Sequence, residues 1–323
     1  MKILNTLLMK KIILLSITIL FSVSLMAQKG TSLKMNLEKN KVYRFTSSSA
    51  QTITQTINGN QQTVDSKTEN TVSIKMIDAT PDFMITEVRI DTMKSNTNSM
   101  GKTSIMSSNV EGNIKSTEVS DVMSCIMNRL SKNALYVKID YTGKPIDVIN
   151  AKMLSDVIMK DTGSIALAGP VAATIKKQIA GMISNDALKT MIMPFTYYLP
   201  GKEVATGETW SMTNNTSSGG MSLEIITKYH LDAVNGDNAM ITAESEIKAA
   251  ANADPIISGP ARVTYDDLKG LSKSNMIIDI RTGLMIEDKA KTHIAGNLGI
   301  SAPGMSMQMP MDINGESKVV AIK

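Results

Sequence analysis

Apolar residues at every second position set the character of this chain. Val72, Ile74 and Met76 alternate with Thr71, Ser73 and Lys75, and after a turn at Thr80-Pro81-Asp82 the same period returns through Ile85, Glu87 and Arg89. A strand with that pattern buries one face and leaves a Thr/Lys/Glu face in water, which is antiparallel behaviour. Upstream, Leu33 to Leu37 alternates in the same way, and Lys41-Val42-Tyr43-Arg44-Phe45-Thr46 leads into a Thr- and Gln-rich stretch ending at Ile57. Asn58-Gly59-Asn60 then marks a hairpin turn.

The second half repeats this grammar. Gly201 leads through Gly207 to Trp210-Ser211-Met212, much as the Glu38–Asn40 turn leads to Val42 and Tyr43. Tyr229 to Glu244, with Asn235-Gly236-Asp237-Asn238 as its turn, echoes Ile77 to Val88. The clearest correspondence sets Val137-Lys138-Ile139-Asp140-Tyr141-Thr142-Gly143 beside Ile277-Ile278-Asp279-Ile280-Arg281-Thr282-Gly283. In each, glycine supplies the positive φ of a tight reversal and aspartate satisfies turn amides. Three signals in the same order favour duplication.

Helical spacing appears mainly between the halves. Ile149 to Lys160 presents Met153, Leu154, Val157 and Ile158 on one face; Pro170 opens a second helix towards Ile183; Asp186 to Met193 forms a third, stopped by Pro194. Glu118 to Leu130 adds a short helix. The expected fold is mainly β with a helical insert (α+β), built from two related curved antiparallel β units. The expected divisions are 1–27, 28–148 for an N-terminal β-rich unit, 149–194 for the helical connection and 195–323 for a C-terminal β-rich unit.

Residues 1–27 read as a cleavable signal. Lys10 and Lys11 precede an apolar run from Ile12 to Met26, and Ala27 offers a small residue for cleavage; Met9 is an alternative start. Periplasmic, secreted or envelope location is therefore expected, with no stable membrane span once the signal is removed. The formal charge of +4 loses three lysines with that segment, so the basic pI is poor support for nucleic-acid binding, and no basic stripe or stacking motif is present. Cys125 stands alone, excludes an internal disulfide and reads as a buried apolar residue.

Candidate chemistry is sparse. His230 and His293 both sit in strand-like runs, and no nucleophile elbow, metalloprotease helix or phosphate loop accompanies them. Asp140 and Asp279 read as turn residues. No catalytic residue, cofactor or metal site is assigned; the sequence does not decide whether the chain is an enzyme, but leans against it. The 25 methionines are less ordinary, and Met305, Met307, Met309 and Met311 would share one face of a strand. Thioethers bind Cu(I), yet Pro310 interrupts the run and no His or Cys joins it. Core packing or a greasy surface is the expected use. Trp210, after Gly207-Glu208-Thr209, reads chiefly as a sheet anchor and secondarily as a contact platform.

Met26-Ala27-Gln28, the stretch from Gly201 to Trp210 and Ile278-Asp279-Ile280-Arg281-Thr282-Gly283 together resemble an uncharacterised family of exported, β-rich proteins of Bacteroidota-type bacteria, a domain of unknown function. The resemblance implies an envelope or secreted β-rich protein and carries over no catalytic residue. The expected role is a non-enzymatic envelope protein binding a lipid or other apolar ligand on a curved β surface, with Trp210, Met305, Met307, Met309 and Met311 as contact candidates. A structural or protein-interaction role with an envelope partner is the alternative, and hydrolysis a distant one.

Overall fold

The computed structural model describes residues 30–322 apart from 58, 219, 220, 252, 259, 260 and 266. Residues 1–27, expected to be a signal, and Asn58 of the first hairpin turn lie outside the described residues.

The alternating segments form long strands. Thr31–Ser32 is β1, followed by β2 (Val42–Ile57), β3 (Asn60–Ala79), β4 (Phe83–Ser99), β5 (Lys102–Ser107), β6 (Leu135–Asp140) and β7 (Pro145–Val148). After the helices come β8 (Glu203–Val204), β9 (Thr209–Ser218), β10 (Met221–Asn235), β11 (Asn238–Ala249), β12 (Ile256–Ser258), β13 (Ala261–Thr264), β14 (Lys269–Asp279), β15 (Leu284–Ala302) and β16 (Met305–Ile322). All but β1 and β8, which pair with each other, belong to one antiparallel sheet that is not closed, ordered β7-β6-β4-β3-β2-β16-β15-β14-β11-β10-β9. The expected mainly β fold with a helical insert is therefore present.

The repeated grammar has a topological counterpart. The path β2-β3-β4-β6-β7 matches β9-β10-β11-β14-β15 strand for strand, and β16 joins the two runs edge to edge. Each run ends in its Thr-Gly turn. Asp140 Oδ1 accepts from the amides of Thr142 (2.8 Å) and Lys144 (3.0 Å), while Asp279 Oδ1 accepts from the Arg281 amide (2.9 Å). Both aspartates thus hold turns. Register shifts at Thr71/Val72, Met76/Asp78, Leu231/Ala233 and Ile277/Ile278 add the local bending of β-bulges.

The two turns grip the same segment. The Met35 amide donates to the Tyr141 carbonyl at 2.9 Å and the Asn36 amide donates to the Thr282 carbonyl at 2.8 Å. Leu33, Met35 and Leu37 are thereby buried between the two runs.

Four helices are present among the described residues: α1 (Val119–Ser131), α2 (Ala151–Ile158), α3 (Gly169–Met182) and α4 (Asn185–Thr196). Ser184 caps α4 by accepting from the Ala187 amide. Pro194 does not end α4 as the sequence reading expects; the helix continues to Thr196. Tertiary burial of Phe195 and Thr196, and a Tyr197 amide bond to the Met193 carbonyl at 2.9 Å, hold that last turn. α4 packs against β7 of the first run and against β9 and β15 of the second, so it ties the two together. Cys125 is buried in α1. Among the described residues no helix is long and apolar enough to cross a membrane.

Two apolar clusters result. The larger joins helices, residues 33–37 and both strand runs. The smaller lies further along β15 and β16, where Tyr265 and Leu268 pack on Leu298, Met309, Met311 and Ile313. The segment before β14 is fixed there: the Ser222 amide donates to the Tyr265 hydroxyl (2.7 Å), β13 pairs with β15, and Asn297 donates to both Asp267 oxygens at 2.8 Å.

Asp288 is out of keeping with this packing. It lies opposite Met276 and Val319, and its Oδ1 is buried without a hydrogen-bond partner. Desolvation raises its carboxyl above the ordinary range, against smaller opposing effects of the Ser274 hydroxyl and the Lys289 amide. A raised folded-state value favours the protonated form, so its stabilising contribution is present below the unfolded value and is lost as pH rises through the folded one. Asp288→Asn should therefore raise unfolding free energy by about 1 kcal/mol at neutral pH. Urea titrations should show that advantage shrinking as pH falls through the raised folded-state value, and gone by about pH 4.

Candidate functional site

The five sequence candidates fall in two places. Trp210 is buried in the larger cluster, stacked on Tyr229 with centroids 5.3 Å apart and planes inclined by 11°. Its indole N–H donates to the Tyr198 carbonyl at 3.1 Å, and the Tyr198 hydroxyl donates to the Gly283 carbonyl at 3.1 Å. Burial pushes the Tyr229 hydroxyl up to about 12 and raises that of Tyr198 as well. Met309 and Met311 belong to the smaller cluster, Met307 is half-buried, and Met305 is exposed beside the β15–β16 turn. The methionines share one face of β16, but Trp210 does not join them.

Neither histidine meets a nucleophile. His230 Nδ1 lies 2.5 Å from Asp232 Oδ1, and the Thr242 hydroxyl donates to Asp232 Oδ2 at 2.7 Å. The carboxylate stands between hydroxyl and imidazole, the reverse of the order in which a histidine base faces its nucleophile. His293 Nε2 lies 2.7 Å from Asp312 Oδ2, whose other oxygen accepts from Asn314. Among the described residues no group of three or more His, Cys, Asp or Glu is placed to hold a metal ion.

Two concavities remain. The first opens where β15 leaves β16. Their pairing runs from Ala302↔Met305 to Glu287↔Val320, after which β16 stays on β2 through Ala321↔Phe45 and Ile322↔Arg44. Ile286 is the extra residue of the bulge opposite Ile277 and Ile278. The resulting cleft of about 480 Å³ has Val42, Ile286, Ala321 and Ile322 among its lining. Val42 is 51% and Ile322 43% exposed, although both are strand residues. Charged groups surround it: Lys41 contacts Glu38, and Arg281 lies 3.1 Å from Asp279 and 3.0 Å from Asp237. Arg44 is the least committed cation, 3.9 Å from Asp91.

The second concavity is a groove of about 1490 Å³ across β14, β15, β16, β2, β3 and β4. Its rims use Lys273 and Asn275 of β14 and Asn96 and Asn98 of β4, residues that alternate with core-facing Met276 and Met93 and so belong to the opposite face. The lining is mostly polar, with lysines, three acids, Ser, Thr and Asn side chains, together with His293 and the exposed Leu271.

Sequence reading missed both places. Val42 shares the parity of Arg44 and Thr46, so an apolar residue on the polar side of its strand was the available signal. Its neighbours Ile286 and Ile322 come from strands whose register decides the cleft, and that register includes a bulge.

No curated protein matches the chain. Among solved structures, a lipovitellin structure concerned with lipid–protein interactions aligns at 9% identity and TM-score 0.44, over 89% of this chain and 26% of that one. The chain thus spans about a quarter of the lipovitellin chain. An outer membrane channel from Pseudomonas putida F1 aligns at 7% identity and TM-score 0.27, over 89% of this chain and 97% of the channel. A DUF1329 family protein from Desulfovibrio piger aligns at 7% identity and TM-score 0.14, over 84% of this chain and 83% of that one. Similarities of this size carry no functional argument. The family comparison is decisive: residues 81–285 match the model of a family of unknown function, DUF6263, and the chain belongs to that family.

Proposed function

We propose that this chain is a non-enzymatic binding protein of the cell envelope, exported by residues 1–27, which holds an apolar or amphipathic ligand in the cleft between β15 and β16. The observation that carries this reading is the exposure of Val42 and Ile322 inside a concavity of about 480 Å³. That volume is in the range of small-molecule sites, which combine an apolar lining with a few placed polar groups. Arg44, held only by a long ion pair, would meet an acidic head group, while the apolar part lies along Val42, Ile286 and Ile322. The separation of both histidines from any nucleophile supports binding over hydrolysis.

A second reading has its own support. Ile149, Met153 and Val157, on and before α2, are exposed, as is Val171 of α3. An apolar helical surface of this kind suits a protein partner in the envelope.

Native mass spectrometry of the mature protein, purified from its own envelope fraction, tests the first reading. A stoichiometric adduct identified as a lipid or other amphiphile is the expected result. A ligand-free mass in gentle conditions, with a co-purifying protein subunit, would favour the second.

A further inference from the structure

The polar groove sets lysines against lysines across neighbouring strands. Register sets Lys273 directly opposite Lys291, and Lys289 directly opposite Lys318. Like charges in facing cross-strand positions destabilise a sheet, and here two such pairs lie side by side in the groove. Three of the lysines have an acid beside them: Lys273 is 2.7 Å from Glu244, Lys291 is 3.1 Å from Glu316, which stands opposite it inside the groove, and Lys289 contacts Glu287. Lys318 makes no ion pair among the described residues. Lys291 is 83% exposed at its side chain, so the cluster is open to a ligand.

We propose that this groove binds an extended acidic polysaccharide, with its carboxylates over the two lysine pairs. The cleft between β15 and β16 is a separate place, and neither proposal depends on the other. Six adjacent strands span about 24 Å, long enough for several sugar rings in a row. The lining also carries Asn96, Asn98, Asn275 and Asn314, whose amides both donate and accept and so match hydroxyl groups of either orientation. Asp65, Glu69 and Glu316 also line the groove. They would repel a polymer charged at every unit, such as a nucleic acid, but accept hydrogen bonds from sugar hydroxyls. No Phe, Tyr or Trp is among the described lining residues, and the one imidazole, His293, is paired with Asp312 at 2.7 Å, which leaves few of the stacking platforms that single-stranded nucleic acids use. Sparse carboxylates on a hydroxyl-rich chain therefore fit this surface better than dense phosphates do.

Calorimetric titration of the mature protein with hyaluronan oligosaccharides, which carry a carboxylate on every second sugar, tests the proposal. Binding should be measurable at low ionic strength, weaken as salt screens the exposed lysines, and be absent with neutral maltoheptaose. The double variant Lys289→Gln/Lys318→Gln should bind about tenfold more weakly, a loss of about 1.4 kcal/mol. Without ligand its thermal midpoint should match or exceed that of the wild type, because a like-charge pair has gone. Should the variant fold poorly, a rise in the wild-type midpoint with hyaluronan oligosaccharides, and none with maltoheptaose, gives an independent reading. No binding by the wild type, undiminished binding by a folded variant, or equal affinity for polyglutamate or single-stranded DNA would overturn the proposal.

Discussion

Gly283→Ala should lower the unfolding free energy by about 3 kcal/mol or more. Two costs combine at this position. Its φ of 71° lies in the left-handed region, where a Cβ costs about 1–2 kcal/mol. That Cβ would also stand 2.3 Å from the Lys34 carbonyl oxygen and 2.9 Å from Met35 Cα. Both are backbone atoms of the segment gripped between the two strand runs, so relief requires that Leu33, Met35 and Leu37 shift out of their buried positions. Gly143, the equivalent glycine of the first run, has φ 85° and a Cβ position 1.8 Å from the Thr196 carbonyl oxygen; alanine there should cost a similar amount. Gly304 provides the control. It has φ 76° but no atom within 4 Å of its Cβ position, so alanine should cost only about 1–2 kcal/mol. Equilibrium urea unfolding of the three variants checks the order. Equal losses at Gly283 and Gly304 would mean that the turns do not clamp the amino-terminal segment.

Trp210→Ala should cost about 3–5 kcal/mol. The substitution removes the ring stacked on Tyr229 and leaves the Tyr198 carbonyl without its indole donor. It also opens a void where α4 meets β9 and β15, the contact that joins the two runs. Trp210→Phe retains an aromatic face and should cost less. Because Trp210 is the sole tryptophan, its emission reports this core directly. Blue-shifted native fluorescence, resistant to iodide and moving red on unfolding, is expected. Red emission quenched in the native state would place the ring at the surface and restore it as a contact platform.

Much of the fold was legible in local pattern. Strand alternation around Val72, Ile74 and Met76 and the Thr-Gly turns at Gly143 and Gly283 correspond to real hairpins, because period and turn chemistry are local properties. The path of α4 through Pro194 was not legible, since burial of Phe195 and Thr196 overrides the helix-breaking tendency. For the methionines, parity correctly put Met305 to Met311 on one face. Which of them are buried depends on Tyr265 and Leu268 folding back over β15 and β16, a long-range contact without a local signal.

The concavities were hidden for a related reason. The tight turn alone aligns Ile278 with Met285, and continuing that register would set Lys273 opposite Ala290. The bulge at Ile277/Ile278 shifts the count by one and brings Lys291 opposite Lys273. Similarly, Val42 and Ile322 read as ordinary strand residues until the parting of β15 from β16 exposes them. One displaced residue in a strand changes every later neighbour, so site geometry in this sheet depends on a feature that periodicity does not encode.

The most direct test of the binding account is native mass spectrometry of the mature wild type beside a Val42→Asp/Ile322→Asp variant, both recovered from the envelope fraction. The wild type should carry a stoichiometric amphiphile, and the variant, with unchanged thermal midpoint, should be recovered without it. An adduct retained by the folded variant, or a wild type free of any adduct, would contradict ligand binding in the cleft.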